Sequence, residues 1–151
     1  MNPLFVLFSI TLMSLVVSFF LFKLLKNTAL VKLPVGQFGG AIAGFIAVGF
    51  GAFGAHGLRE RLTPEMVAVF ETGVRYHMYH ALALLLTAAL APRVPGKAIV
   101  AAGWLFVAGI VLFSGSLYVL AVTGIRILGA VTPFGGVSFL AGWAALAVAA
   151  L

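Results

Sequence analysis

Ionisable side chains that could take part in chemistry are concentrated in one otherwise apolar stretch, Glu71–Leu86. Its sequence is ETGVRYHMYHALALLL. It contains two of the three histidines of the chain, together with Glu71 and Arg75. Histidine carries protons near neutral pH and binds zinc, copper or iron. A glutamate and an arginine four residues apart on a helix have the spacing of an ion pair. The stretch could therefore transfer protons, bind a ligand or metal, or form structural pairs.

The helical positions of these side chains predict that the stretch has protein neighbours on two sides. At about 100° per residue, Glu71 and Arg75 share one face of a helix. Tyr76 and His80 share the opposite face, with His77 beside them. A membrane helix that is polar on two sides must keep both away from lipid, because a buried charge costs at least about 2.5–3.5 kcal/mol there.

Metal binding and nucleophilic catalysis are both poorly supported. His77 and His80 are weak metal candidates: their side chains point about 60° apart, and only His56 could join them. Ser114 and Ser116 lack a strained-turn motif, and the chain has no aspartate to orient a histidine. We therefore predict no catalytic residue, no metal site and no cofactor.

The composition is that of a membrane protein. The 151 residues are 64% hydrophobic and 8% charged, whereas a soluble domain carries about 25% charged residues. The absence of cysteine excludes disulfides and thiol chemistry. The net charge of +6 comes from single basic residues near helix ends, a pattern that sets membrane topology. The lipid bilayer is thus the expected partner, and nucleic acid is not.

Four apolar segments are about as long as the roughly 20 residues needed to cross a bilayer, and a fifth, shorter segment is the membrane part of a longer predicted helix. They predict an all-α integral membrane protein, a five-helix transmembrane bundle. The third segment belongs to a helix that starts at Thr63, as the cap, and Pro64, at the first position. The predicted spans are Met1–Phe22, Leu33–Leu58, Tyr76–Leu90, Ala98–Ile125 and Pro133–Leu151.

Glycines spaced by four in the second span, at Gly36, Gly40 and Gly44, predict close packing against another helix. An ion path along this face is the alternative. The basic residues predict the orientation, because the side with more of them is cytoplasmic. That side carries Lys23, Lys26, Lys32, Arg93 and Lys97, so the N-terminus is expected outside and the C-terminus in the cytoplasm.

Polar side chains from four helices are expected to converge in the outer half of the membrane, given a rise of about 1.5 Å per residue and a core of about 30 Å. They either bond one another or line a cavity that opens to the outside, around His80. The candidates are His56, Glu71, Arg75, Tyr76, His77, His80, Ser114, Ser116 and Tyr118.

Four runs together carry a family resemblance: GAFGAHGL (Gly51–Leu58), ETGVRYHMYHALALL (Glu71–Leu85), LFSGSLYVLAVTGI (Leu112–Ile125) and TPFGGVSFLAGW (Thr132–Trp143). The chain resembles the YgdD-type family of small bacterial inner-membrane proteins, a domain of unknown function with four predicted spans. The resemblance implies a four-helix family domain at residues 36–151. Residues 1–35 would then add an N-terminal transmembrane helix and a basic cytoplasmic linker.

Two functional hypotheses follow. The first is a non-enzymatic inner-membrane protein that acts as a homo-oligomer or as an accessory subunit of a membrane complex. The second is a channel or transporter for protons or a small solute, which would use the polar side chains around His80. The resemblance also implies that the positions of Glu71, Arg75 and His77 often hold other residues, which weakens the ion-pair and metal hypotheses.

Overall fold

The computed structural model describes residues 35–151, and this part of the chain is helical and contains no strand. The predicted span Met1–Phe22 and the basic linker lie outside the described residues, so the count of five helices stays a prediction. The helices are α1 (Val35–Phe53), α2 (Pro64–Leu90), α3 (Lys97–Gly109), α4 (Ser116–Thr123) and α5 (Thr132–Ala149). Shorter π-helical segments at Gly54–Leu58 and Ile110–Gly115 extend α1 and join α3 to α4, and a 3₁₀ helix at Arg126–Ala130 precedes α5.

Three segments within residues 35–151 are long and apolar enough to cross a membrane: Gly36–Leu58, Lys97–Thr123 and Arg126–Ala149. The helix α2 has 27 residues, and its length of roughly 40 Å is sufficient to cross a membrane. It does not belong to this group because it carries too many polar side chains. It packs against α1 on one side and against α3 and α4 on others. The face with His77 and His80 is thereby buried against protein, whereas Glu71 and Arg75 on the other predicted polar face are exposed, so only one of the two faces is covered as expected.

The start of α2 is the one that the sequence predicts. Thr63 has extended backbone angles, and its hydroxyl accepts a hydrogen bond from the Met66 backbone N–H at 3.4 Å. Pro64 occupies the first turn, where its missing N–H costs nothing. The helix then continues without interruption to Leu90.

Small residues let α1 lie directly on α2. Gly36 faces Ala88, and Gly40 faces the backbone of Leu85 so closely that an added Cβ would lie 3.0 Å from the Leu85 nitrogen. Toward the other end of the pair, Gly54 lies under the ring of Phe70. The glycine face is therefore packed against a helix, which confirms the packing prediction.

Aromatic rings and glycines interlock between α3 and α5. The ring of Phe139 lies on Gly109, and the ring of Phe106, which is fully buried, lies on Gly142. Gly135 approaches the backbone of Phe113 in the π-helical segment so closely that no side chain fits between them. These contacts form the main apolar core, which also includes Ala83, Leu84, Ile99, Ala102 and Leu146.

Candidate functional site

His80 is a buried histidine with both ring nitrogens engaged. Its Nδ1 lies 2.7 Å from the backbone carbonyl of Tyr76, and its Nε2 lies 3.3 Å from the indole Nε1 of Trp143 in α5. A carbonyl only accepts and an indole N–H only donates, so Nδ1 carries the hydrogen and Nε2 accepts. The geometry thus selects the neutral Nδ1–H tautomer and links α2 to α5.

Aromatic rings enclose the imidazole. His80 stacks on Phe139 with ring centroids 3.4 Å apart and planes 7° from parallel. Phe106 lies 5.6 Å from the imidazole, and Trp143 packs edge-on to Phe106 at 5.2 Å. Since only 5% of His80 is exposed, neither lipid nor bulk water reaches most of the ring. The arrangement is that of a packed, hydrogen-bonded core residue.

His77 forms a second, separate pair. Its Nδ1 lies 3.2 Å from the hydroxyl of Tyr118 in α4. The Tyr118 ring covers Gly73 and packs against Phe70 at 4.9 Å and against Phe50 of α1 at 4.8 Å. His77 and Tyr118 therefore connect three helices through one hydrogen bond and a set of ring contacts.

Hydroxyl groups make the remaining contacts between helices. The Ser116 hydroxyl lies 2.9 Å from the Phe113 carbonyl and 2.9 Å from the Thr132 hydroxyl, which joins α4 to the start of α5. The Ser138 hydroxyl donates to the Leu105 carbonyl of α3 at 2.8 Å. These short bonds satisfy polar groups that lipid could not.

Ser114 is the exception. Its side chain is fully buried in the π-helical segment, and its hydroxyl has no hydrogen-bond partner. Among residues 35–151 it is the one buried side-chain oxygen or nitrogen without a partner. A lone buried hydroxyl costs about 1–3 kcal/mol, so it is an energetic defect in an otherwise paired interior.

The other candidates lie on the surface. His56 is exposed in the π-helical segment Gly54–Leu58 that extends α1, and within the described residues no hydrogen bond joins it to His77 or His80. Glu71 and Arg75 are exposed, and no ion pair or hydrogen bond joins them in the part of the chain described. The ion pair expected from their spacing is thus absent: exposed pairs gain little, about 0–1 kcal/mol, and their side chains lose freedom on pairing.

The predicted polar group is accordingly divided into three separate internal pairs, the buried and unpaired Ser114, and a set of surface residues. No three side chains of the types that ligate metals gather within the described residues, which leaves the weak candidates His77 and His80 without a third ligand. Trp143 and Thr132 are hydrogen-bond partners that the sequence pattern did not predict. The available signal was Trp143 itself, because a tryptophan in an apolar helix needs an acceptor for its N–H.

An open groove of about 360 Å³ lies between α1 and α2 on the surface of the bundle. Gly51 and Gly54 form its α1 side, and Phe70 and Val74 form its apolar α2 side. Glu71 and Arg75 complete the lining. The groove therefore combines an apolar floor with two opposite charges.

Comparison with known proteins identifies the family. The family described as protein of unknown function (DUF423) matches residues 50–136, which is more than half of the chain. The chain belongs to the DUF423 family. UPF0382 membrane protein YwdK of Bacillus subtilis (strain 168) is 56% identical over 113 residues, 74% of this chain and 92% of the relative. No solved structure matches.

Two further relatives are also named membrane proteins. A UPF0382 membrane protein of Staphylococcus epidermidis (strain ATCC 12228) is 48% identical over 112 residues, 74% of this chain and 91% of the relative. UPF0382 membrane protein SH2409 of Staphylococcus haemolyticus is 48% identical over 109 residues, 72% and 88% of the two chains. Together with the apolar helices, these names identify a helical membrane protein of a family of unknown function. The YgdD-type designation and the additional N-terminal helix stay predictions.

Proposed function

We propose that this protein is a non-enzymatic inner-membrane protein that acts through assembly, as a homo-oligomer or as an accessory subunit of a membrane complex. The observation that carries the proposal is the pairing of its internal polar groups. Both nitrogens of His80 are engaged inside the protein, and Ser116 and Ser138 use their hydroxyls to hold helices together. Such groups stabilise a bundle and are not available to a substrate.

The outward face of α1 supports assembly with another helix. Gly39 and Gly49 are exposed, and within residues 35–151 no atom of another helix lies within 4 Å of the position where their Cβ atoms would be. Phe45 and Phe38 project beside them, 81% and 60% exposed. In lipid, helices associate where small residues let backbones approach and large residues pack around them.

Cysteine cross-linking tests the proposal directly, because the chain has no cysteine of its own. Gly49→Cys in the full chain is expected to give a disulfide-linked dimer on oxidation in native membranes. The matched control is Val100→Cys, 58% exposed on α3, which should stay monomeric. Native mass spectrometry of the unaltered protein reports the alternative, a complex with other subunits. A lone monomer in both measurements would contradict assembly.

Transport through the bundle is the second candidate, and Ser114 is the observation that favours it. An unpaired buried hydroxyl in π-helical backbone provides a polar site that water or a solute could occupy. If the protein transports, His80→Ala should abolish flux into proteoliposomes while the protein stays folded. If His80 is structural, the same variant should melt at a lower temperature and no flux should be measurable in either protein.

We further infer that residues 36–151 form the family domain and residues 1–35 an added N-terminal helix with its linker. The N-terminus would lie outside and the C-terminus in the cytoplasm. The orientation is supported by the count of basic residues, since Lys23, Lys26, Lys32, Arg93 and Lys97 fall on one side of the predicted spans and Arg59, Arg61 and Arg126 fall on the other.

A further inference from the structure

The long helix formed by α3, the π-helical segment Ile110–Gly115 and α4 changes its packing partner halfway along. Before the segment, α3 packs on α5, and the ring of Phe139 lies on Gly109. After the segment, α4 packs on α2, where a Cβ added at Gly73 would lie 3.3 Å from the Leu117 Cβ. Within residues 35–151, α4 itself makes little contact with α5. The two halves of one helix therefore belong to different parts of the bundle.

The π-helical segment contains a buried hydroxyl without a partner, although comparable hydroxyls in the regular helices are paired. Thr72, Thr87 and Thr123 each donate to the carbonyl four residues before them, at 2.8, 2.8 and 2.6 Å. A π-helix directs its backbone bonds five residues back, and the buried hydroxyl of Ser114 reaches no carbonyl at all. The segment thus lacks a hydrogen bond that the regular helices keep. Helices bend most readily where their backbone departs from the α pattern, as at a π-helical turn.

A single side-chain hydrogen bond joins α4 to α5 in the described part of the chain. The Ser116 hydroxyl lies 2.9 Å from the hydroxyl of Thr132, the first residue of α5. One turn further along α5, Gly135 meets the Phe113 backbone, and a glycine has no side chain that could interlock there. Beyond these contacts, Ser138 bonds to α3, and the main apolar core holds α5 to α3 and α2. The start of α5 is therefore held less firmly than its remainder.

We propose that the π-helical segment is a hinge at which α4 and the start of α5 separate, and that the bond between Ser116 and Thr132 is the latch that keeps them together. In the open form α4 remains packed on α2, while the rest of α5 remains packed on α3. Ser114 favours bending, because its hydroxyl has no hydrogen bond to lose when the segment changes shape. This device goes beyond assembly and transport, and it can be measured without a partner or a solute.

The opening lies beside Tyr76, on the side of α2 that faces α5. The Tyr76 ring packs on Phe113 with centroids 4.7 Å apart and lies 6.4 Å from the ring of Phe139. The imidazole of His80 stacks behind Tyr76, at 6.2 Å. Separation of α4 from α5 widens the space beside Tyr76, which is already exposed, and gives water access to His80, which is buried.

Hydrogen exchange of the full chain in lipid nanodiscs, measured by mass spectrometry, tests the hinge, because amide exchange reports how often a segment opens. The latch variant Thr132→Val keeps the shape of the side chain and removes its hydroxyl. It should raise the exchange rate of the amides in Ile110–Gly115 about tenfold, the factor that corresponds to one hydrogen bond. The matched control is Thr87→Val, whose hydroxyl bonds within α2, and it should leave exchange in the segment unchanged. Equal effects of the two variants would overturn the proposal.

A reversible disulfide tests the same hinge in a second way. The hydroxyl oxygens of Ser116 and Thr132 are 2.9 Å apart, so Ser116→Cys with Thr132→Cys places two sulfurs within reach of a disulfide, and the chain has no other cysteine. The oxidised protein should exchange the amides of Ile110–Gly115 about tenfold more slowly than the reduced protein. The reduced form of the same sample is the control, so the comparison does not depend on how well a separate variant folds. Identical exchange in the two forms, or faster exchange in the oxidised form, would refute the hinge.

Discussion

His80 illustrates how one tautomer can hold two helices together. The Tyr76 carbonyl fixes the hydrogen on Nδ1, and this leaves Nε2 as an acceptor aimed at Trp143. A doubly protonated ring would lose that acceptor and would oppose the indole N–H. The neutral imidazole is therefore the form that the packing of α2 against α5 requires.

We predict that Trp143→Phe destabilises the protein. It removes the indole donor and leaves His80 Nε2 unpaired in the bundle, a loss of about 1–3 kcal/mol. Thermal unfolding in detergent should show a lower midpoint. The other tryptophan of the chain supplies the control: Trp104 is 71% exposed, and Trp104→Phe should change the free energy of unfolding by less than about 0.5 kcal/mol. Equal effects of the two substitutions would contradict the role given to Trp143.

The hydrogen-bond partners of the candidate residues were harder to predict than the candidate residues themselves. The sequence singled out His80, His77, Ser116 and Tyr118, all of which form contacts between helices. The partner of His80 lies 63 residues away, and its identity depends on how α2 and α5 are aligned, which no local pattern reports. The ion pair predicted between Glu71 and Arg75 is absent for a different reason. Its spacing permits pairing, but exposure to solvent removes most of the free energy that pairing would contribute.

At the scale of helices, the contact between α5 and the π-helical segment brings two backbones together without room for a side chain. Gly135 lies against the backbone of Phe113. Its neighbour Gly136 has room for a side chain, because an added Cβ would lie 3.9 Å from the Phe113 ring, an ordinary van der Waals distance. Two adjacent glycines therefore have different roles, one required by packing and one not.

We predict that Gly135→Ala lowers the free energy of unfolding by about 1–3 kcal/mol, because the new methyl group forces α5 away from α3. Gly136→Ala should be neutral or stabilise by up to about 1 kcal/mol, since alanine is the better helix former. The difference in unfolding midpoint between these neighbouring variants measures the effect of the close approach. A larger loss for Gly136→Ala would refute the assigned contact.

Local signals predicted the helices well. The Thr63 cap and Pro64 located the start of α2 to the residue, because a cap depends only on its own turn. Regular glycine spacing predicted the α1 face that meets α2. The π-helical segment at Ile110–Gly115 was not predicted, because its backbone path accompanies the contact with Gly135, a residue of another helix.

At the scale of the whole molecule, the connections between helices lie at opposite ends, and we predict which end faces the cytoplasm. A cysteine at Pro95, in the α2–α3 connection, should be protected from a membrane-impermeant thiol reagent in intact cells. A cysteine at Ala130, before α5, should react. Both should react after the membrane is permeabilised, which controls for accessibility. The reverse pattern would invert the proposed orientation.

The polarity of α2 bears on how the chain enters the bilayer during synthesis. Polar residues oppose the exit of a segment from the translocon, and the predicted span of α2 contains His77 and His80 and is preceded directly by Arg75. The preceding helix α1 is apolar and joined to α2 by a short connection of residues 59–63. We expect α1 to be retained at the translocon until α2 is synthesised. The two helices should then enter the bilayer together, as a hairpin in which α2 already covers the glycine face of α1.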